Sequence, residues 1–208
     1  MRWLERACLA LTSALMLAGC AQLQPEPERT ASQVQNGGAG STAAGAYRYR
    51  NDLDLQGRLS VRYQVQGKDE AMHGNFEWHQ RGKQIDITLR SPLGQTLAQI
   101  QVRDGSAQLM QSGQPVKTAN DVDALVAQTL GWPLPIAGLH QWLQGQGKRS
   151  DGSRFVASKA QDSVTTQDGW RLRYVSWNDD ASPKRIDLER YTVEAGEVGL
   201  KLVLDAPQ

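Results

Sequence analysis

Hydrophobic and polar residues alternate along most of the chain from residue 54 onward, a pattern typical of half-buried β-strands. The longest alternating segment covers residues 54–66, and the residues on its polar face are Gln, Arg and Ser. Its other face carries Leu55, Gly57, Leu59, Val61, Tyr63 and Val65. The pattern predicts a long strand with one face in the protein interior and the other in water.

The same period of two predicts further strands. The segments that show it are residues 72–79, 85–90, 98–103, 107–110, 155–157, 170–174, 186–193 and 198–204, with a short candidate around Val164. Turn sequences such as Asp104-Gly105 separate several of them and favour hairpins. At Tyr191 and Val193 the apolar residues change face, which predicts a β-bulge. Roughly ten short antiparallel strands predict a barrel or a sandwich.

Two helices are predicted between these strands. In the first, apolar residues at helical spacing run from Val122 to Leu130, with Asn120 as the expected N-cap and Gly131 as the stop. In the second, Pro135 is expected in the first turn and Gly145 closes the segment. The apolar residues of the second helix are Ile136, Leu139, Trp142 and Leu143. Helices this short are unstable alone in water, so we expect both to lie on an apolar surface of the sheet.

The first residues have the pattern of an export signal. Two arginines precede an apolar run that is too short to span a bilayer, and small residues follow it. Residues 1–19 are therefore predicted to be a signal peptide. Leu17-Ala18-Gly19-Cys20 resembles the bacterial lipobox, which implies an N-palmitoyl, S-diacylglycerol lipid on Cys20. In such lipoproteins Ala21, rather than Asp, after the cysteine implies the outer membrane.

Residues 20–46 are predicted to be the lipidated N-terminus and a flexible tether. They include Gly, Pro, Ser, Thr and Asn residues and contain only two large aliphatic residues, Leu23 and Val34. Such a segment cannot bury enough apolar surface to become ordered. The folded domain is expected over residues 47–208.

Composition narrows the function classes. A formal charge of +1, from 23 Lys and Arg against 22 Asp and Glu, argues against nucleic-acid binding. Three His and two Cys leave little material for a metal site. Glu77 and His79 share a strand face and make half a metal site at most, and a solvated polar face is the favoured interpretation. Gly145–Ser150 lacks phosphate-loop spacing and is interpreted as a turn. We expect no enzyme, no metal and no cofactor.

The loop Ser91-Pro92-Leu93-Gly94 leaves two interpretations open. Pro92 and Gly94 are turn residues and place Leu93 at a hairpin tip. The leucine either folds back onto the sheet or projects as an apolar tip that enters lipid.

Several motifs in one order carry a family resemblance. They are Gly57-Arg58-Leu59-Ser60-Val61, Phe76-x-Trp78, Ser91-Pro92-Leu93-Gly94, Leu134-Pro135-Ile136 and Trp142-Leu143-x-Gly145, preceded by the lipobox and the tether. Together they resemble the LolB family, outer-membrane receptors that accept lipoproteins from the periplasmic carrier LolA. The resemblance implies a mainly β fold, an unclosed antiparallel barrel of about ten to eleven strands with a short helical lid over an apolar cavity.

The resemblance also implies a function and site residues. The protein is expected to be a monomer on the outer membrane, facing the periplasm, that takes lipoproteins from LolA, shelters their acyl chains and inserts them into the membrane. Pro92, Leu93 and Gly94 are the expected membrane-insertion loop. The cavity and lid candidates are Leu59, Val61, Phe76, Trp78, Ile87, Ile100, Leu125, Ile136, Leu139 and Trp142. The alternatives are a lipocalin-like lipoprotein that binds a small apolar ligand, a scaffolding lipoprotein and an unrecognised enzyme.

Overall fold

The computed structural model describes residues 49–206, so the predicted signal peptide, Cys20 and the predicted tether lie outside the described residues. Within 49–206 the fold is mainly β, with twelve strands and two helices. The strands are β1 (Asp52–Val65), β2 (Lys68–Arg81), β3 (Gln84–Arg90), β4 (Thr96–Arg103), β5 (Ser106–Gln111), β6 (Lys117–Ala119), β7 (Gln146–Lys148), β8 (Arg154–Val156), β9 (Ser163–Thr165), β10 (Arg171–Trp177), β11 (Pro183–Thr192) and β12 (Gly196–Leu204). The helices are α1 (Val122–Leu130) and α2 (Ile136–Trp142).

One large antiparallel sheet organises the described part of the chain. Its ten strands follow the order β6-β5-β4-β3-β2-β1-β12-β11-β10-β9, and β7 and β8 form a separate ribbon. The edge strands β6 and β9 do not pair with each other in residues 49–206, so the sheet stays unclosed. The predicted unclosed antiparallel architecture is confirmed.

The long alternating segment forms β1, which lies in the middle of the sheet. Its inner residues pair across both neighbours: Leu59 lies opposite Gly74 on β2 and opposite Leu202 on β12. The inner faces of the sheet, together with α1 and α2, form one apolar core. Burial of alternate residues on each strand explains why the period of two was visible in the sequence.

Three local predictions need correction. Asp121, not Asn120, caps α1: its Oδ1 accepts a hydrogen bond from the Ala124 amide at 2.7 Å. Pro135 takes the N-cap position of α2 instead of its first turn. The segment after Gly145 is not a simple turn, because Gln146–Lys148 is β7, paired with β8.

The predicted bulge at Tyr191 is also wrong. The β11–β12 register runs without a shift to Thr192, which is buried, while Tyr191 points outward and is 74% exposed. The irregularity of β11 lies instead in its pairing with β10, between Tyr174 and Trp177. The prediction assumed that apolar residues face the interior, and Tyr191 and Val193 do not.

Candidate functional site

An apolar cavity of about 200 Å³ lies in the described domain. Its wall comes from β1 to β5, β12, both helices and the segment that joins them. The lining is almost wholly aliphatic and aromatic. The polar exceptions include Arg90 and Gln111, the last residues of β3 and β5, and Asn75, which pairs with Arg90 from the middle of β2. Such a wall offers burial to hydrocarbon and little to a polar ligand.

The structure brings eight of the ten predicted cavity residues to this wall. They are Leu59, Val61, Phe76, Trp78, Ile87, Ile100, Ile136 and Leu139. Leu125 and Trp142 are buried but do not line the cavity. The apolar stripe of a helix is wider than the part that faces the void, so helical spacing alone could not separate these positions.

Sequence reasoning missed a second set of lining residues. They are Tyr63, Met72, Leu89, Leu97, Leu130 and Trp132. Leu97 and Leu130 are 39% and 38% exposed although they line the cavity, so they mark its mouth. For Tyr63, Met72 and Leu89 the strand period was a usable signal, because they continue the inward faces of β1, β2 and β3. Trp132 follows the stop of α1 and carries no periodic signal.

Trp142 anchors α2 in a dense aromatic cluster beside the cavity. The Tyr174 hydroxyl donates to the Trp142 carbonyl oxygen at 3.0 Å, and the Trp142 ring lies 6.4 Å from that of Trp170. Tyr174 also stacks between Phe155 and Trp177 at 6.1 and 5.8 Å. Burial raises the pKa of the Tyr174 hydroxyl, which therefore stays protonated as a donor. This cluster fills the interior near β8 and β10.

The helices are tied to each other and to the sheet by few polar contacts. Asp123 of α1 accepts a hydrogen bond at 3.0 Å from the Ala137 amide, in the first turn of α2. Burial raises the pKa of the Asp123 carboxyl. In the connection between the helices, the Trp132 ring lies 6.0 Å from that of Tyr63 on β1. The Trp132 indole N–H is buried and has no hydrogen-bond partner among the described residues.

The loop between β3 and β4 projects Leu93 into solvent. The Gly94 amide donates to the Ser91 carbonyl at 2.9 Å, the Ser91 amide donates to the Gln95 carbonyl at 2.7 Å, and Gly94 has a φ of 85°. Leu93 is 91% exposed, and Pro92 and Gly94 are exposed beside it. The loop therefore does not fold Leu93 back onto the sheet. It follows Arg90, at the end of β3 where the cavity wall reaches solvent.

The outer faces of β1 to β3 carry ion pairs. His79 Nδ1 lies 2.8 Å from Asp54 Oδ1, and Arg90 Nε donates to Glu77 Oε1 at 3.1 Å. Glu77 and His79 thus have separate partners. Residues 49–206 contain no group of three or more His, Cys, Asp or Glu side chains placed to hold a metal ion. Among the same residues, no helix has the length and apolarity that crossing a membrane requires.

Comparisons with known proteins place this domain in a family. Residues 51–206 match the family described as "Outer membrane lipoprotein LolB". A relative from Ralstonia nicotianae, named outer-membrane lipoprotein LolB, is 37% identical over 91% of this chain and 90% of its own length. One from Cupriavidus pinatubonensis with the same name is 35% identical over 96% and 93%.

Among solved structures, a LolA superfamily protein from Nitrosomonas europaea is similar over 77% of this chain and 87% of its own length, with 10% identity and a TM-score of 0.41. A DUF1329 family protein from Desulfovibrio piger is similar over 76% and 85%, with 9% identity and a TM-score of 0.42. The family match covers nearly the whole described domain, including the cavity wall and the Leu93 loop, and relatives align over most of their length. The chain therefore belongs to the LolB family of outer membrane lipoproteins.

Proposed function

We propose that this protein accepts lipoproteins from the periplasmic carrier LolA, shelters part of their acyl chains in the apolar cavity and delivers them to the outer membrane. The observation that carries the proposal is the apolar cavity of about 200 Å³ with a mouth lined by Leu97 and Leu130. Each CH₂ group withdrawn from water contributes about 0.8 kcal/mol, so a receiver without such a wall could not compete with a carrier.

The closed cavity holds only part of such a cargo. An apolar cavity of about 150 Å³ accommodates a molecule the size of benzene. A volume of about 200 Å³ therefore fits a short stretch of hydrocarbon, and admission of whole acyl chains requires α1 and α2 to move away from the sheet. The helices suit this movement because each is short and depends on packing for its stability.

The Leu93 loop supplies the step into the bilayer. A fully exposed leucine on a rigid turn gains about 1.5–3 kcal/mol when it enters an apolar phase. That gain is enough for a transient contact and too small to hold the loop in lipid permanently. Pro92 and Gly94 set the turn, so we assign them positioning roles.

The lipobox resemblance supports the proposed anchor and location. Lipid on Cys20 keeps the protein at the outer membrane, where several acyl chains give stable attachment. The domain works as a monomer facing the periplasm. No nucleotide motif is recognised in the sequence, so we propose transfer down a gradient of affinity, from carrier to cavity to bilayer. No catalytic step and no cofactor are part of this proposal.

The test follows a labelled lipoprotein from the carrier to this protein and then to liposomes. Leu93→Glu should accept cargo at the normal rate and deliver it slowly, because a charged tip cannot enter lipid. Val175→Glu is the matched control, since Val175 is an exposed apolar residue, 40% exposed, away from the loop. Delivery by Leu93→Glu at the rate of the control would contradict the role of the loop.

The small volume of the closed cavity also supports the alternative, a lipoprotein that binds a small apolar ligand. The same assay separates the two functions. Failure to accept cargo, together with stable retention of a small apolar molecule in the presence of liposomes, would favour the alternative.

A further inference from the structure

A second strongly exposed apolar group lies at the turn between β11 and β12. We call residues 191–196 the β11–β12 tip. Within it, Val193 is 90% exposed and Tyr191 is 74% exposed. Neither residue lines the cavity or belongs to the Leu93 loop. An apolar pair this exposed adds nothing to the packing of the core, so another reason for its presence is needed.

The β11–β12 tip and the Leu93 loop lie at the same end of the sheet's strands. Because neighbouring strands are antiparallel, the β1–β2, β3–β4 and β11–β12 turns all fall at this end. The Gln64 amide near the end of β1 donates to the Ala195 carbonyl at 2.9 Å and places the tip beside the β1–β2 turn. The exposed Val65 belongs to that turn region, and Val116 precedes β6 at the same end.

The turns at the opposite end of the strands expose different kinds of residue. They comprise residues 81–84, 103–106 and 178–182, and their exposed residues are polar, charged or small. Within residues 49–206, the large hydrophobic residues that are exposed include none from these three turns. The five most exposed large hydrophobic residues within 49–206 therefore lie at one end of the strands, the end at which the cavity mouth also lies; they are Leu93, Val193, Tyr191, Val116 and Val65.

The tip is a fixed structure. Its Ala195 amide donates to the Thr192 hydroxyl oxygen at 3.0 Å, and both Thr192 and Ala195 are buried. Val193 and Glu194 thus project from a turn that is held from below. An apolar contact from a rigid turn loses little conformational entropy when it docks.

We propose that the β11–β12 tip is a second membrane-contact element, which rests on the bilayer interface while the Leu93 loop enters it. This inference rests on the proposed function and adds a contact to it. Tyr191 is suited to the headgroup region, where a ring with one polar end is favoured. Glu194 beside Val193 limits the tip to a shallow position, because a carboxylate is costly in the hydrocarbon core.

The length of chain outside the structure permits this orientation. The domain begins at the start of β1, at the end of the strands opposite the β11–β12 tip and the Leu93 loop. The residues between Cys20 and Tyr49 span at most roughly 100 Å when fully extended. The fourteen residues of β1 span about 48 Å, so the chain can run back past the sheet and let the tips face the bilayer to which Cys20 is attached.

The test uses the full chain, purified with its lipid and inserted in phosphatidylethanolamine–phosphatidylcholine vesicles. An environment-sensitive fluorophore is attached to the new cysteine of the Val193→Cys, Leu93→Cys or Lys83→Cys variant. Lys83 lies in the turn at the opposite end of the strands and serves as the control position. Lipids with a shallow spin label should quench the fluorophore at residues 93 and 193 and leave residue 83 unchanged. The unsubstituted protein takes no label when its Cys20 is blocked by lipid.

Quenching at residue 93 without quenching at residue 193 would overturn the second contact and leave the proposed function standing. Absence of quenching at residues 93 and 193 alike would contradict the second contact and the proposed role of the Leu93 loop. In detergent without vesicles, added carrier protein could reduce the quenching by iodide of the fluorophore at residue 193. That result would show that the tip binds a protein and would overturn the membrane assignment.

Discussion

At the scale of single residues, Gly57 shows how a sequence motif serves packing. It lies on the inner face of β1, opposite Phe76 on β2 and Leu204 on β12. A Cβ at this position would collide with the Val203 carbonyl oxygen and meet the Phe76 ring at 2.9 Å. Glycine is required here because the Val203 carbonyl of β12 and the Phe76 ring, part of the cavity wall, occupy the space that a Cβ would need.

Gly57→Ala should therefore destabilise the domain by about 1–3 kcal/mol, the usual cost of overpacking. Gly199→Ala is the matched control, since a Cβ on this β12 glycine meets no atom within 4 Å. Denaturant unfolding measures both variants. Equal stabilities would show that the strand can shift to relieve the clash.

The Asp54 carboxylate gives the domain a predictable response to acid. Two bonds from Arg81, at 2.7 and 3.0 Å, and the contact with His79 lower the pKa of Asp54 from 3.8 to about 2. A folded-state pKa below the unfolded value means that the pair stabilises the fold above about pH 4. This contribution is lost as the pH falls towards 2.

Asp54→Asn should lower the free energy of unfolding at pH 7 by less than about 1 kcal/mol, because the pair is exposed to solvent. The difference from the unsubstituted protein should shrink to a small fraction of its value at pH 7 as the pH falls to about 2. Arg81→Gln breaks the same pair from the other side and should behave alike. Unfolding titrations over this pH range provide the measurement, and an undiminished difference at pH 2 would contradict the ion-pair explanation.

At the scale of elements, the helical lid combines weak helices with a few specific contacts. The stop of α1 at Gly131, with a φ of 79°, agrees with the sequence prediction. The N-cap was misplaced by one residue because Asn120 and Asp121 are both good cap residues, and local sequence does not decide which side chain meets the amide. The link from Asp123 to the Ala137 amide joins residues fourteen apart in sequence and left no local signal.

Asp123→Ala should free the Ala137 amide and loosen the start of α2, with a loss of about 1–2 kcal/mol. Asp123→Asn keeps an acceptor oxygen and should retain most of the stability. Hydrogen exchange at the Ala137 amide distinguishes a local effect from global unfolding. If exchange is unchanged in the alanine variant, the contact does not hold the lid.

Strand prediction succeeded where burial and period agree. The inner residues of β1 to β4 followed the alternation because one face of each strand is buried. The three-residue strands β6 and β7 were missed because they contain no large apolar residue, whereas the equally short β8 and β9 were marked by Phe155 and Val164. The outward Tyr191 was misinterpreted as a bulge because the alternation rule takes every large apolar residue to be buried.

At the scale of the whole molecule, the interior divides into a filled part and a hollow part. The aromatic cluster around Tyr174 packs the space near β8 and β10. Aliphatic side chains of β1 to β5 face the lid across the cavity. The division explains why Trp142, a predicted cavity and lid residue, does not line the cavity. Its ring lies on the side of α2 that faces the aromatic cluster.

Ala98→Phe should reduce uptake of a fluorescent fatty acid without unfolding the domain, because Ala98 lines the cavity and the void receives the ring. Ala107→Phe is the matched control on β5, since Ala107 is buried outside the cavity wall and should lose about 1–3 kcal/mol from overpacking. Binding titrations and thermal unfolding report the two effects. Full uptake by a stable Ala98→Phe variant would place the acyl chain elsewhere.

The sequence, with the family resemblance that it carries, determined the mainly β fold class, the order of most strands and helices, eight of the residues that line the cavity and the turn that carries Leu93. These features depend on local periodicity, turn chemistry and motif order, all of which act between residues close in the chain. Only the tertiary structure decided the size of the cavity, the placement of Leu125 and Trp142 outside its wall and the exposure of Leu93, Tyr191 and Val193. Those properties depend on how distant strands meet and on where the core runs out of side chains to fill it.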